Sequence, residues 1–518
     1  MAVRDIETGG GGESSMEEKN LSIEEVTHSG SGETLVYDEQ KGFFARVRRF
    51  AGRFGVEERG IERVLPHERT DTGVSMIGTL WMSANMTVST FALGALAQPV
   101  FGLGFVDAAL TVICINILGT LPVSFFSTFG PRFGLRQMVV SRFFFGYYGI
   151  KIIAIFNILA CLGWSAVNSI VGAQLLSAIN PGAHALPGWA GVLIIALSTL
   201  LITTFGYRLV HAYERWSWIP VLVIFCIVAG EFGASGKFAV GPLMSGKAEA
   251  GSVLSFAASV FGFATGWTSM AADYSTYQPE TRPRRTIFLW TFGGLLFPLI
   301  FTELLGAAVM TAYAVDQDYA EAYDTNQIGG VLAIVLVPRL GGFGRFCLAV
   351  LALSIVANNC PNIYSVSLSL QVLARQTQRI PRFVWPALAT AVYVAISIPG
   401  YNSFEEVLEN FMLLIGYWLA IYEGIALTEH FVFRRTSGYV VDDYATPEKL
   451  PPGYSALCAF LFGVMGAVLG MAQSWYVGPI GRLCGGEYGG DVGFELAFGF
   501  SAVAYLILRS AEKQWFKR

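Results

Sequence analysis

Between about residue 75 and residue 510 the chain carries about twelve apolar stretches, most of them near the roughly twenty residues a helix needs to cross a hydrocarbon core. No water is available at that depth. Every backbone N–H and C=O must then be satisfied within the segment, which leaves helices or a closed barrel. Stretches of this length read as helices. Composition agrees: 53% of residues are hydrophobic and 14% charged, where a soluble domain carries about 25% charged residues. The expected fold class is an all-α polytopic membrane protein with about twelve transmembrane helices, near 75–98, 104–127, 143–179, 188–206, 217–234, 253–274, 287–313, 343–373, 383–399, 406–433, 454–473 and 491–510. The chain contains no GxSxG, HExxH or P-loop motif, and its five histidines are scattered. Neither an enzyme nor an ATP-driven pump is expected. The seven cysteines show no metal spacing, so no zinc site or disulfide framework is expected either.

The loops set the orientation. Arg132, Arg136 and Arg142 follow the second span, Arg282, Arg284 and Arg285 the sixth, and Lys513, Lys517 and Arg518 the last, whereas Asp316, Asp318, Glu321 and Asp324 crowd an alternate loop. The positive-inside rule places both termini in the cytosol and requires an even number of spans. Residues 1–70 read as a disordered, cytosolic tail: Gly9 to Gly12 and the pairs Glu17-Glu18 and Glu24-Glu25 offer no core, and a basic juxtamembrane stretch follows from Arg46 to Arg69. This tail and the short one at 511–518 are candidate sites for trafficking or endocytic machinery.

Four spans carry polar chemistry that lipid does not tolerate. The first reads Ser83-Ala84-Asn85-Met86-Thr87-Val88-Ser89-Thr90. It is either a broken helix that frees carbonyls for a ligand, or a continuous one whose hydroxyls bond back one turn. The sixth carries Gly262, Thr265, Gly266, Trp267, Thr268 and Ser269, and holds the place in a second set of five helices that the first span holds in the first. Paired interruptions of this kind point to an inverted-repeat transporter. The core then spans 71–433, with repeats at about 75–234 and 253–433, and 434–510 supplies two peripheral helices. In the third span Trp164 and Asn168 share one face, and in the eighth Asn358, Asn359, Pro361 and Asn362 interrupt an apolar run. Indole rings can clamp a flat heterocycle, and an Asn amide offers a donor beside an acceptor, matching a nucleobase edge. Buried acids are scarce: Glu303, Glu423, Glu429 and Glu231 lie in spans, and Glu214 lies in the segment Tyr207 to Trp216. Each is a candidate carrier of a coupling proton, and Glu214 is equally a candidate partner of Arg208 or Arg215.

Together these residues resemble the fungal purine-cytosine permeases of the nucleobase-cation-symporter-1 family. The resemblance runs from about Val56 to the C-terminus. It rests on Gly55-Val56-Glu57-Glu58-Arg59-Gly60-Ile61-Glu62-Arg63-Val64, Ser83 to Thr87, Phe129 to Gln137, Trp164-Ser165-Ala166-Val167-Asn168, and most specifically the NNxPN motif Asn358 to Asn362. It implies a LeuT-like fold of two inverted five-helix repeats plus two peripheral helices. It also implies import of adenine, guanine, hypoxanthine and cytosine across the plasma membrane with a proton as coupling ion and no cofactor. By the same resemblance Trp164 and Trp267 sandwich the base, Asn168 bonds its edge with Ser89 or Thr90, and Asn358, Asn359 and Asn362 line the site. Pro361 shapes it, and Glu214 takes part through gating or protonation; from their place in the spans, Asn85 is a further candidate for shaping the site and Glu303 for carrying the proton. Bacterial sodium-coupled relatives place two adjacent hydroxyl residues over a turn before the asparagine motif; here Ala352-Leu353-Ser354-Ile355 offers one. The partners implied are the lipid bilayer and a small nucleobase, with no nucleic acid. Alternatives are another flat heterocycle (pyridoxine, uracil, allantoin or thiamine) or a non-transporting nutrient sensor.

Overall fold

The computed structural model describes residues 60–204, 215–241, 245–380 and 384–517. The tail up to residue 59 and Glu214 lie outside the described residues. In chain order the main helices are α1 (Ser75–Asn85), α2 (Val88–Ala95), α3 (Phe105–Ser127), α4 (Arg142–Ala178), α5 (Gly188–Thr204), α6 (Trp218–Ser235) and α7 (Lys247–Thr265). They continue as α8 (Arg284–Met310), α9 (Gln317–Leu340), α10 (Gly342–Leu373), α11 (Val384–Gly400), α12 (Phe404–Thr428), α13 (Tyr454–Gly470) and α14 (Gly493–Phe516). Among the described residues, eight helical runs are long and apolar enough to cross a membrane by length and composition, and α5 and α13 are shorter apolar helices.

Burial is the reverse of that in a water-soluble protein. Leu118, Leu159, Leu197, Leu289, Leu461 and Ile507 face outwards, while Asn116, Thr120, Asn157, Asn168, Ser259 and Ser365 are fully buried. Lipid gives apolar side chains no reason to turn inwards, so polar groups are collected inside, where they find one another. The helices α4 and α10 lie along each other, α8 packs on α2 and α3, α7 on α3 and α12, and α13 and α14 pair on α12.

Two expectations change. The acidic stretch after α8 is not a loop: Asp316 caps the start of α9, accepting from the N–H groups of Asp318 and Tyr319. The apolar run 328–337 that follows is shorter than a span, and its period goes unnoticed behind the acidic residues. Glu429 is no free intramembrane acid. It accepts from Arg434 Nε at 2.9 Å, Arg509 Nε at 3.2 Å and the Tyr505 hydroxyl at 3.0 Å, tying the end of α12 to α14.

Candidate functional site

Both paired interruptions are real breaks. α1 stops at Asn85, Met86 leaves helical geometry (φ −79°, ψ 68°), Thr87 is extended, and α2 restarts at Val88. The carbonyls freed there are met by side chains: Thr90 Oγ1 donates to the Asn85 carbonyl at 2.6 Å, and Asn358 Nδ2 to that of Ala84. This resolves the first span in favour of the broken helix. The helix α7 stops at Thr265, turns through Gly266 and Trp267, and continues as a 3-10 turn, Thr268–Tyr274. Trp267 Nε1 donates to Asn85 Oδ1 at 3.0 Å, so one break holds the other. By contrast α10 runs unbroken through Pro361. The ring removes one helical donor, and the Pro361 carbonyl accepts from the Tyr274 hydroxyl at 3.0 Å.

Between the breaks, α4 and α10 enclose a narrow cavity lined by Trp164, Phe263, Gly266, Trp267, Asn358 and Asn362. Trp164 stands edge-on to Phe263 (4.9 Å between centroids) and to Phe411 (5.5 Å), and Trp267 edge-on to Trp81 (5.5 Å). A Cβ on Gly266 would press on the Phe263 carbonyl at 3.1 Å and stand in ordinary contact with Trp164 Nε1 at 3.5 Å.

The asparagines form one network. Asn168 Oδ1 accepts from Ser89 Oγ at 2.6 Å, and Asn168 Nδ2 donates to Asn358 Oδ1 at 2.7 Å and Asn359 Oδ1 at 2.8 Å. Asn362 Nδ2 donates to the Asn358 carbonyl at 3.1 Å, and Asn359 Nδ2 to Ser169 Oγ at 3.4 Å. The expected site residues therefore separate into two layers. Trp164, Trp267, Asn358 and Asn362 form the wall, whereas Ser89, Thr90, Asn168, Asn359 and Asn85 stand behind it, engaged by protein. Phe263 and Phe411 were not singled out from sequence, because a phenylalanine in an apolar span carries no signal. Deeper still, Asn157 joins three elements: its Nδ2 donates to Ser365 Oγ (3.0 Å) and Ser369 Oγ (2.8 Å), and its Oδ1 accepts from Ser269 Oγ (2.6 Å).

The buried acids divide. Glu303 on α8 accepts from Asn116 Nδ2 at 2.7 Å, with its backbone against Gly94 of α2, and does not reach the cavity. Glu423 on α12 accepts from both Thr265 and Thr268 hydroxyls, at the break beside Trp267. One face of the molecule is closed by a dense polar layer. There Arg136 Nη1 donates to the Asp273 carbonyl at 2.7 Å and its Nη2 to the Tyr364 hydroxyl at 2.9 Å, while Gln137 Nε2 donates to the Tyr422 hydroxyl at 2.8 Å. Among the described residues no cluster of His, Cys, Asp and Glu could hold a metal, and all seven cysteines are free.

Residues 64–485 match the family described as permease for cytosine/purines, uracil, thiamine, allantoin. The chain is 55% identical over 509 residues to the purine-cytosine permease fcyB of Emericella nidulans, covering 97% of this chain and 98% of that protein. It is 44% identical over 513 residues to the purine-cytosine permease FCY2 of Saccharomyces cerevisiae, covering 98% and 96%. Among solved structures it resembles Mhp1, a nucleobase-cation-symport-1 family transporter in a closed conformation with bromovinylhydantoin bound (TM-score 0.66, 15% identity, covering 89% of this chain and 95% of that one). That likeness shows the fold, LeuT-like and nearly all helical. Broken helices, inward-facing polar network and sequence thus converge: the chain belongs to the cytosine/purine permease family of the nucleobase-cation-symporter-1 transporters, a membrane permease and not an enzyme.

Proposed function

We propose that the chain imports purine bases (adenine, guanine, hypoxanthine) and cytosine across the plasma membrane by proton symport, both termini in the cytosol and about twelve helices spanning the bilayer. The observation that carries this reading is the cavity itself: two indoles and two asparagines converge where two broken helices meet. A base lies flat between Trp164 and Trp267, each stacking contact contributing roughly 1–3 kcal/mol. Among the described residues Asn362 Oδ1 has no hydrogen-bond partner, so an acceptor is left for the edge of the base. Asn168 is saturated by Ser89, Asn358 and Asn359, and it serves as the strut that aims the wall. A proton rather than sodium fits Ala352-Leu353-Ser354-Ile355, which offers one hydroxyl where sodium-coupled relatives place two.

Transport follows by alternating access: the polar layer around Arg136 closes the cytosolic side while Phe411 lies over Trp164 on the other. Uptake of labelled cytosine and adenine in cells lacking their own nucleobase carriers tests the reading. Saturable, cross-competed uptake collapsed by a protonophore is expected. Trp267→Ala is expected to abolish uptake at normal surface level, and a wild-type affinity in that variant would overturn the stacking model. The family's description also names uracil, thiamine and allantoin. Competition by each distinguishes these substrates, and surface protein that moves none of them would favour a sensor.

A further inference from the structure

Thr265 ends α7 and Thr268 begins the 3-10 turn, so their hydroxyls bracket Gly266 and Trp267. Both donate to the same oxygen, Oε1 of Glu423, Thr268 at 3.0 Å, and the two hydroxyls lie 3.0 Å from each other. Glu423 is buried on α12, and no cation among the described residues pairs with it. A buried unpaired carboxylate is costly when ionised and must be compensated by donors aimed at it. Here the donors are the two ends of the broken helix that carries Trp267.

We propose that Glu423 is the binding site of the coupling proton and a positioning residue for Trp267. The inference rests on the proton-symport reading above. Ionised, Glu423 accepts from both hydroxyls and fixes the geometry of the break. On protonation Oε1 is left as the weaker acceptor of a neutral carboxyl, and the two hydrogen bonds that set Gly266 and Trp267 lose about half their strength. Proton and base are thereby linked through one element with two arrangements, which is what differential binding to two states requires. The proton is taken up and released unchanged, so no other reactant is needed.

The groups around Glu423 do not offer a second carrier in contact with the break. Glu495 of α14 lines the same cleft from the far side, and the rest of that cleft is apolar, with Leu121 of α3, Phe261 of α7 and Phe288 of α8. Tyr422, its chain neighbour, is engaged by Gln137 and Ser141, and Asp273 at the end of the 3-10 turn accepts from the Gln137 N–H. Glu303 touches neither break nor cavity wall.

The test compares wild type, Glu423→Gln and Glu303→Gln at matched surface level, reading labelled-cytosine binding to membranes, uptake from pH 5 to 8, and accumulation above the external concentration. For Glu423→Gln, a stand-in for the protonated carboxyl, we expect cytosine binding that no longer changes with pH, together with uptake that no longer varies with pH and no protonophore-sensitive accumulation. A wild-type pH profile in Glu423→Gln, or a flat one only in Glu303→Gln, would overturn the assignment while leaving proton symport standing. Protonophore-insensitive accumulation by the wild type would instead remove the reading on which it rests. Should Glu423→Gln fail to reach the surface, Thr265→Val with Thr268→Val decides. Losing both donors destabilises the ionised carboxylate, so half-maximal uptake should move to higher pH by about one unit or more, and an unmoved profile would overturn the proposal.

Discussion

Asn168 shows how a residue can be named correctly from sequence and still be given a different task by its surroundings. Its spacing from Trp164 puts both on one face of α4, which sequence alone establishes. Sequence cannot show that its oxygen is taken by Ser89 and its nitrogen shared between Asn358 and Asn359, because those partners lie on α2 and α10. Asn168→Ala would leave the Ser89 hydroxyl and the Asn359 amide oxygen without a mate, each worth about 1–3 kcal/mol, and Asn358 Oδ1 with only the Asn362 amide at 3.3 Å. We expect the KM for cytosine to rise by about tenfold or more with the carrier still at the surface. A larger loss of kcat than of affinity would show that the strut acts on the moving step instead. The wall residues were legible because polarity in a membrane is conspicuous. Phe263 and Phe411 were not, because their environment and not their chemistry makes them part of the site.

At the scale of elements, the two breaks were legible as paired clusters of small polar residues, and the close approach of the helices around them was not. α2 and α8 meet through glycines: a Cβ on Gly94 would lie 1.9 Å from the Glu303 carbonyl oxygen, and one on Gly306 2.1 Å from that of Phe91. Backbone on both sides cannot yield, and overpacking of this kind costs about 1–3 kcal/mol or more. Gly94→Ala is expected to lower the thermal midpoint in detergent and the amount at the cell surface. Wild-type values for both would mean that the two helices separate without penalty. The helix α9 was missed because the sequence reading gave its acidic start to a loop. There Asp316 is held below the usual carboxylate range by the Lys237 ammonium and by the N–H groups it caps. A depressed carboxylate contributes stability above its unfolded value, near 3.9, and loses it only as pH falls through its lower folded value. Asp316→Asn should therefore destabilise α9 at neutral pH and leave the shape of the uptake profile between pH 5 and 8 unchanged. A profile displaced within that window would assign part of the pH dependence to this cap.

For the whole molecule, the all-helical membrane fold was legible and the state of the gates was not. A gate is made of partners far apart in the chain. Arg69 Nη1 donates to the Pro131 carbonyl at 2.6 Å, Arg136 joins Asp273 to Tyr364, and Gln278 Nε2 reaches Asp71 Oδ2 at 2.9 Å. These bonds fasten the segment before α1 and the turn after α3 to the 3-10 turn beyond Trp267. Opening that face must break them, so, in the orientation proposed above, they set how much of the population stands open to the cytosol. Arg136→Ala removes two of the bonds, and the inward-open state should gain population accordingly. Substrate arriving from outside then meets fewer competent carriers, and its apparent affinity falls by that fraction. The shift can be read without transport. The buried Cys161 lies on α4 beside Asn157, which bonds Ser269 of the 3-10 turn, and the other six cysteines can be changed to serine. In inside-out vesicles a membrane-impermeant thiol reagent should label Cys161 faster in Arg136→Ala than in the parent, and in right-side-out vesicles more slowly. Equal labelling from both sides would mean that the polar layer is a structural floor, and that the opening to the cytosol lies elsewhere in the helix bundle.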